Sequence, residues 1–176
     1  ADADMPPSIS TDRKAENAFL SYRSRYKTIN ELSEKELRLA GLRINPVTNI
    51  NSRETFSEKI TYFDLKTSKE KTIAGLPAKG RFSNQSWNTS QSKFAVTNTT
   101  NKGVELWIID VKTQAATKVY EDKLNANLGR PFNWISDTEL IVNVIPASKK
   151  ALIDTKDAIA TGPTVSVADG KEAQNR

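Results

Sequence analysis

The chain has 176 residues, of which 37% are apolar and 27% charged, a balance that fits one globular core and excludes a composition too polar to fold. Its net charge of +5 comes from 26 basic and 21 acidic residues interspersed along the chain, with no basic run of the kind that grips nucleic acid. Cysteine and histidine are both absent. Disulfides, thiolate metal sites, the Ser-His-Asp arrangement and the usual neutral-pH base are therefore excluded, and neither a metal nor a cofactor is expected.

Taken in order, residues 1–7 read as a leader, and residues 8–17 as polar and turn-rich. Residues 18–22, Ala-Phe-Leu-Ser-Tyr, read as a first short strand. Residues 30–39 carry the one expected helix: Glu31, Glu34 and Glu36 lie near its start, Ser33 and Glu36 stand at capping-box spacing, and Gly41 is placed to end it. Asn45 is pushed towards extended geometry by Pro46, and a polar loop over 47–58 leads to a strand at 59–65. A turn at 66–70 returns the chain through 71–74, and the Gly- and Pro-containing residues 75–80 read as a crossover.

Four strands are expected over 85–88, 93–98, 105–111 and 116–120, then two more over 132–134 and 139–145. Residues 147–176 lose the alternation and read as a long loop or an unfinished unit. No apolar run approaches the ~20 residues needed to cross a bilayer, so no membrane partner is expected.

The pattern repeats. Residues 60–67, Ile-Thr-Tyr-Phe-Asp-Leu-Lys-Thr, align with 106–113, Leu-Trp-Ile-Ile-Asp-Val-Lys-Thr, at an offset of 46 (106 − 60). Trp87 and Trp134 stand 47 apart (134 − 87), each shortly before an apolar strand. Short strands recurring at roughly 40 to 50 residues are the signature of propeller blades, small sheets that cannot bury both faces alone. The expected fold is all-β: a partial β-propeller of two to three four-stranded antiparallel blades with one short helix near 30–39. The expected units are 8–80, a first blade with a long insertion; 81–121, a second; and 122–176, a partial third. This is below the four to eight blades of a closed ring, so the chain reads as a piece of a longer protein.

Few residues offer chemistry. Asp64 and Asp110 each open an Asp-x-Lys-Thr turn, where a carboxylate accepts backbone N–H groups, so they read as structural. Trp87, Trp107 and Trp134 read as filling between blades rather than as a stacking surface for ligand. No serine sits in Gly-x-Ser-x-Gly, and none has a histidine to activate it. Arg43, Arg53 and Arg130 lie at loop or strand ends, where a guanidinium can grip a carboxylate or simply form surface ion pairs.

Several segments carry a resemblance: Glu36-Leu-Arg-Leu-Ala-Gly-Leu-Arg-Ile-Asn-Pro46, Ser86-Trp87, Phe94-Ala-Val-Thr-Asn-Thr-Thr100, Gly103-Val-Glu-Leu-Trp-Ile-Ile-Asp-Val111, Leu124-Asn-Ala-Asn-Leu-Gly-Arg-Pro-Phe132 and Thr161-Gly-Pro-Thr-Val165. Together, over residues 7–176, the chain resembles the N-terminal propeller of prolyl oligopeptidase-family serine peptidases, nearest the glutamyl endopeptidase-like branch. It departs from the usual Ser-Pro-Asp-Gly turn, having Trp87-Asn-Thr-Ser-Gln91 and Trp134-Ile-Ser-Asp137 instead.

The resemblance implies a propeller segment that gates peptide access to a C-terminal α/β-hydrolase domain, which carries the Ser, Asp and His and is absent from this chain. Hydrolysis is then expected of the parent protein and not of this segment. Its partners are the peptide substrate and the protein's own hydrolase domain, and Arg43 and Arg130 are the candidates for holding a substrate carboxylate. A bacterial periplasmic or secreted location is expected first, with the chloroplast as the alternative. The other class of function is a stand-alone propeller-like scaffold that binds protein and has no catalytic activity.

Overall fold

The computed structural model describes residues 5–121 and 123–149, and nearly every regular element in them is a strand. β1 (Ser8–Thr11), β2 (Asn17–Tyr22), α1 (Ile29–Leu32), β3 (Leu37–Leu39), β4 (Leu42–Ile44), β5 (Lys59–Asp64) and β6 (Lys69–Thr72) make up the first part. β7 (Phe82–Trp87), β8 (Lys93–Thr99), β9 (Val104–Asp110), β10 (Ala115–Tyr120), β11 (Phe132–Trp134) and β12 (Leu140–Val142) follow. They form two four-stranded antiparallel sheets, ordered β1-β2-β5-β6 and β7-β8-β9-β10, and two hairpins, β3-β4 and β11-β12. No closed barrel forms among the described residues, and the all-β, propeller-like expectation holds. Residues 150–176, read from sequence as a closing loop, lie outside the described residues.

The inner strands of the second sheet, β8 and β9, are buried on both faces, and their sequence follows from that. Along β9, side chains alternate between faces with period two. Val104, Leu106 and Ile108 enter one apolar cluster with Ile50, Leu124, Ala126 and Phe132. Trp107 and Ile109 enter the other, with Phe19, Ile60 and Tyr62 of the first sheet and Phe94 and Val96 of β8. A strand covered on both sides reads as a continuous apolar run, which is what Leu106-Trp-Ile-Ile109 shows. The outer strands differ: β6, Lys-Glu-Lys-Thr, is exposed throughout, and charge on an edge discourages pairing with another chain.

The two large sheets meet through an aromatic stack. Phe19 lies on Phe94 at 4.2 Å between centroids with an interplanar angle of 20°, and Trp87 tilts against both at 5.1 and 5.0 Å. The Trp87 indole N–H is directed to Ser10 Oγ at 2.9 Å, so the ring joins β7 to β1. A parallel bridge, Ala74 to Ala115, ties the crossover to the edge of the second sheet. There the chains run so close that a Cβ on Gly75 would sit 2.7 Å from the Ala116 carbonyl oxygen, and its φ of +78° is one that glycine adopts freely.

Three local features depart from the expectations. The helix is a single turn, Ile29–Leu32; its capping box is Thr28 with Glu31 rather than Ser33 with Glu36. Leu37–Leu39 is a strand instead, and Ala40 and Gly41, with φ of 45° and +88°, make the tight two-residue turn of a β-hairpin rather than a helix stop. β1 was not anticipated either, because Ser-Ile-Ser-Thr has no apolar face; it is a strand by virtue of pairing with β2, Ser8 opposite Ser21 through Thr11 opposite Ala18. The loop over 47–58 is polar in sequence, yet it sends Ile50 into the second cluster, 1% exposed.

The aromatic contact between the large sheets yields the first prediction. Phe94→Ala empties a fully buried site against Phe19 and Trp87 and is expected to cost about 3–5 kcal/mol. A shift of the urea unfolding midpoint corresponding to less than about 1 kcal/mol would show that the two sheets are not held together there.

Candidate functional site

The connection between the second and third strands of each large sheet sets the stage. In the second sheet it is the short turn of residues 100–103; in the first it is an excursion over 23–58 that contains α1, β3 and β4. The excursion folds back and is pinned to the second sheet. Arg81 grips Glu34 with both terminal nitrogens, at 2.7 and 3.3 Å, and its guanidinium lies 4.4 Å from the Phe56 ring. Ser57 and Phe82 exchange backbone hydrogen bonds at 2.8 and 2.9 Å.

Arg43, an expected substrate-binding residue, lies within this excursion and is engaged. Its guanidinium donates to Glu36 Oε1 at 2.7 Å, and the same carboxylate receives Arg38 Nε at 2.8 Å and Ser52 Oγ at 2.5 Å. The Ser52 hydroxyl and the two guanidinium groups draw the Glu36 carboxyl down to about 2. Arg130 stands elsewhere, just before β11. It is exposed and donates to Ser86 Oγ at 3.3 Å, and among the described residues it has no carboxylate partner. The structure does not bring the two arginines into one ion-paired cluster. Arg53, also singled out in the sequence, is exposed, and its backbone N–H caps Asn51.

Asp64 and Asp110 hold the turns that their repeat suggested. Asp64 Oδ1 accepts the N–H groups of Lys66 and Thr67, and Asp110 Oδ1 accepts the N–H and hydroxyl of Thr113. Those backbone donors, first among the causes, lower both carboxyls. The repeat extends into the backbone, since Ser68 and Gln114, again 46 apart (114 − 68), both adopt positive φ, at 53° and 51°. The tryptophans lie between sheets: Trp107 donates to Glu105 Oε2 at 2.9 Å and Trp134 to the Ser86 carbonyl at 3.3 Å. No metal-holding group of His, Cys, Asp or Glu occurs among the described residues, and no helix among them is long and apolar enough to cross a membrane.

Sequence reasoning passed over a cationic cleft at the root of the excursion. Two adjoining hollows of about 570 and 400 Å³ share Met5, Arg23, Arg25, Tyr26 and Glu58, and are closed by the crossover at Lys79 in one and Arg81 in the other. The signal was present as Arg23-Ser-Arg-Tyr-Lys27, basic residues at alternate positions directly after a strand.

The geometry defines an all-β stack of small antiparallel sheets with one long, ion-paired excursion and a basic cleft at its base. The chain is similar to two proteins named as probable chloroplastic glutamyl endopeptidases. It is 26% identical to that of Arabidopsis thaliana over 99% of its own length and 28% identical to that of Oryza sativa subsp. japonica over 93%. It spans only about a fifth of these relatives, 20% and 19% of their lengths. No family model matches the chain, and no solved structure matches it. These likenesses support a relationship to peptidase-like proteins. The relatives' chloroplastic names accord with the chloroplast alternative for compartment; nothing here supports the bacterial periplasmic or secreted location expected first.

The Glu36 cluster gives a pH prediction. Because the folded carboxyl is held below its ordinary value, its contribution to the excursion is complete above the usual carboxylate range and is lost as pH falls from about 4.5 towards about 2. Amide exchange of the β3-β4 hairpin, corrected for intrinsic rate, should therefore report easier opening over that window. Glu36→Gln should flatten the dependence. A hairpin that opens equally at every pH in the native protein would show that these ion pairs do not hold it.

Proposed function

We propose that this chain is a propeller segment of a serine peptidase of the prolyl oligopeptidase type, forming part of a wall that restricts peptide access to a hydrolase domain elsewhere in the protein. The observation that carries the reading is the pattern of likeness: almost the whole chain aligns with proteins named as endopeptidases, while about four-fifths of their length lies beyond it. The stacked four-stranded sheets support it, since a second sheet whose inner strands are covered on both faces is how a blade sits between its neighbours. The chemistry of the chain agrees. With no histidine and no cysteine it has no ordinary base for a nucleophile, so cleavage falls to residues outside it.

In such an enzyme a serine attacks the scissile carbonyl, a histidine moves the proton from nucleophile to leaving amine, and backbone N–H groups hold the developing oxyanion. The segment's contribution is selection by size and charge. Of the two arginines considered, Arg130 is the better placed to meet a substrate carboxylate, because Arg43 already spends its charge on Glu36.

The test uses the full-length protein in which this segment is embedded. Its sequence is expected to carry Gly-x-Ser-x-Gly followed by Asp and His, and replacing that serine by alanine should abolish cleavage of a short peptide. Arg130→Ala is expected to lower kcat/KM for a glutamyl substrate about tenfold relative to its alanyl counterpart, the scale of one lost charge-assisted contact. Unchanged discrimination would remove Arg130 from substrate binding, and a full-length protein without the serine motif would end the peptidase reading.

A further inference from the structure

From the cleft at the root of the excursion we infer a second site, one that binds an acidic stretch of peptide. Four cations line the larger hollow: Arg23, Arg25, Lys59 and Lys79. Arg23, Arg25 and Lys79 take part in none of the ion pairs among the described residues, whereas the other basic residues nearby are engaged. Lys59 lies 5.1 Å from the Tyr22 ring, Lys27 donates to the Ser52 carbonyl, and Arg81 is held by Glu34.

Among the described residues, the carboxylates that face the cleft are fewer than its cations. Glu58 accepts the Ser24 hydroxyl, and Glu31 is committed to the N–H and hydroxyl of Thr28 at 2.8 and 2.9 Å. Among the described residues, four cations thus line a hollow of about 570 Å³ against one carboxylate, Glu58, which forms no ion pair with any of them. In a folded protein such groups repel one another, and a ligand carboxylate relieves that repulsion as well as accepting their hydrogen bonds.

The remaining lining selects the kind of anion. Met5, Pro7 and Ala78 supply apolar surface beside the cations, suited to the aliphatic stems of glutamate side chains and to an extended backbone. A nucleic-acid strand needs successive stacking platforms, and the cleft offers one. Tyr26 is 73% exposed, but Tyr22 is capped by Lys59 and its hydroxyl donates to Glu70 at 2.9 Å. Inorganic phosphate would leave the apolar wall uncovered. The site is separate from Arg130 and calls for several acids in one segment rather than a single side chain. It depends on the charge of the cleft and not on the chain's being part of a peptidase.

The experiment is fluorescence anisotropy of the intact 176-residue chain with a labelled peptide of alternating glutamate and glycine, at low and at physiological salt. Binding should weaken as salt rises. The triple variant Arg23→Ala/Arg25→Ala/Lys79→Ala should bind about tenfold or more weakly, the scale of three lost partly exposed ion pairs. A control that removes equal charge at the far end of the sheets, Lys66→Ala/Lys69→Ala/Lys112→Ala, should change affinity less than about twofold. All six residues are exposed, and the melting transition of each variant checks that it is folded. Equal losses in the two triple variants, or no measurable binding by the native chain, would overturn the site. An oligothymidylate of matched charge that competes better than the peptide, or inorganic phosphate that displaces it at equal concentration, would overturn the peptide assignment.

Discussion

The arrangement depends on one constraint, that the inner strands of the second sheet, β8 and β9, have no solvent face. β8 and β9 must present side chains large enough to fill two apolar clusters at once, one against the first sheet and one against β11-β12. A strand in that position cannot alternate polar with apolar, and it does not. Among the buried polar residues of these strands the Thr99 hydroxyl has no partner among the described residues, whereas the charged one is bonded on every side. Glu105, 8% exposed near the start of β9, is met by the Lys118 ammonium, the Asn98 amide and the Trp107 indole N–H. Its carboxyl feels burial first, pushing it up, but these three donors outweigh that and hold it below the ordinary value. The buried charge of this strand is thus fully supplied with partners.

Between sheets the joins are of two kinds. Apolar stacking supplies the attraction, with Phe19, Phe94 and Trp87 at the centre. Directional bonds then fix how one sheet sits on the next. Ser21 and Gln85 bond across from β2 to β7; the Arg13 N–H meets Gln91 between successive turn tips; and Asp137 accepts the Ser90 N–H at the next pair of tips. The same position in each repeat unit is used to hold its neighbour. A non-directional core alone would allow the sheets to slide; these contacts favour one angle.

The excursion adds a different kind of order. Its carboxylates are spent inward: Glu34 on Arg81 and Asn45, Glu36 on Arg38, Arg43 and Ser52, and Glu31 on the cap of α1. Its basic residues near the root are left facing solvent beside the crossover. Charge is therefore segregated along a short length of chain, with acids used for structure and cations left for contact. Such a division is uncommon by composition alone, since the chain as a whole mixes its charges. This segregation is where binding by the described residues has its strongest basis.

The sequence alone determined the sheet-forming segments other than β1 and β3, the two-fold use of the Asp-x-Lys-Thr turn and the placing of the tryptophans between sheets. These follow from short-range rules: period-two alternation, turn residues that bond their own backbone, and large rings that must be covered. The absence of histidine and cysteine was equally legible, because it is a fact of composition. What only the tertiary structure decided was the fate of residues whose local preferences are weak. Ser8–Thr11 became a strand because β2 offered an open edge, and Leu37–Leu39 left a helical pattern because the turn at Ala40 and Gly41 paired it with Leu42–Ile44. Ile50 is buried because a distant strand lies against it, and Arg43 is occupied while Arg130 is not because ion pairing depends on which acids the fold brings near. Pairing partners lie far apart in sequence, and no local rule encodes the distance between them.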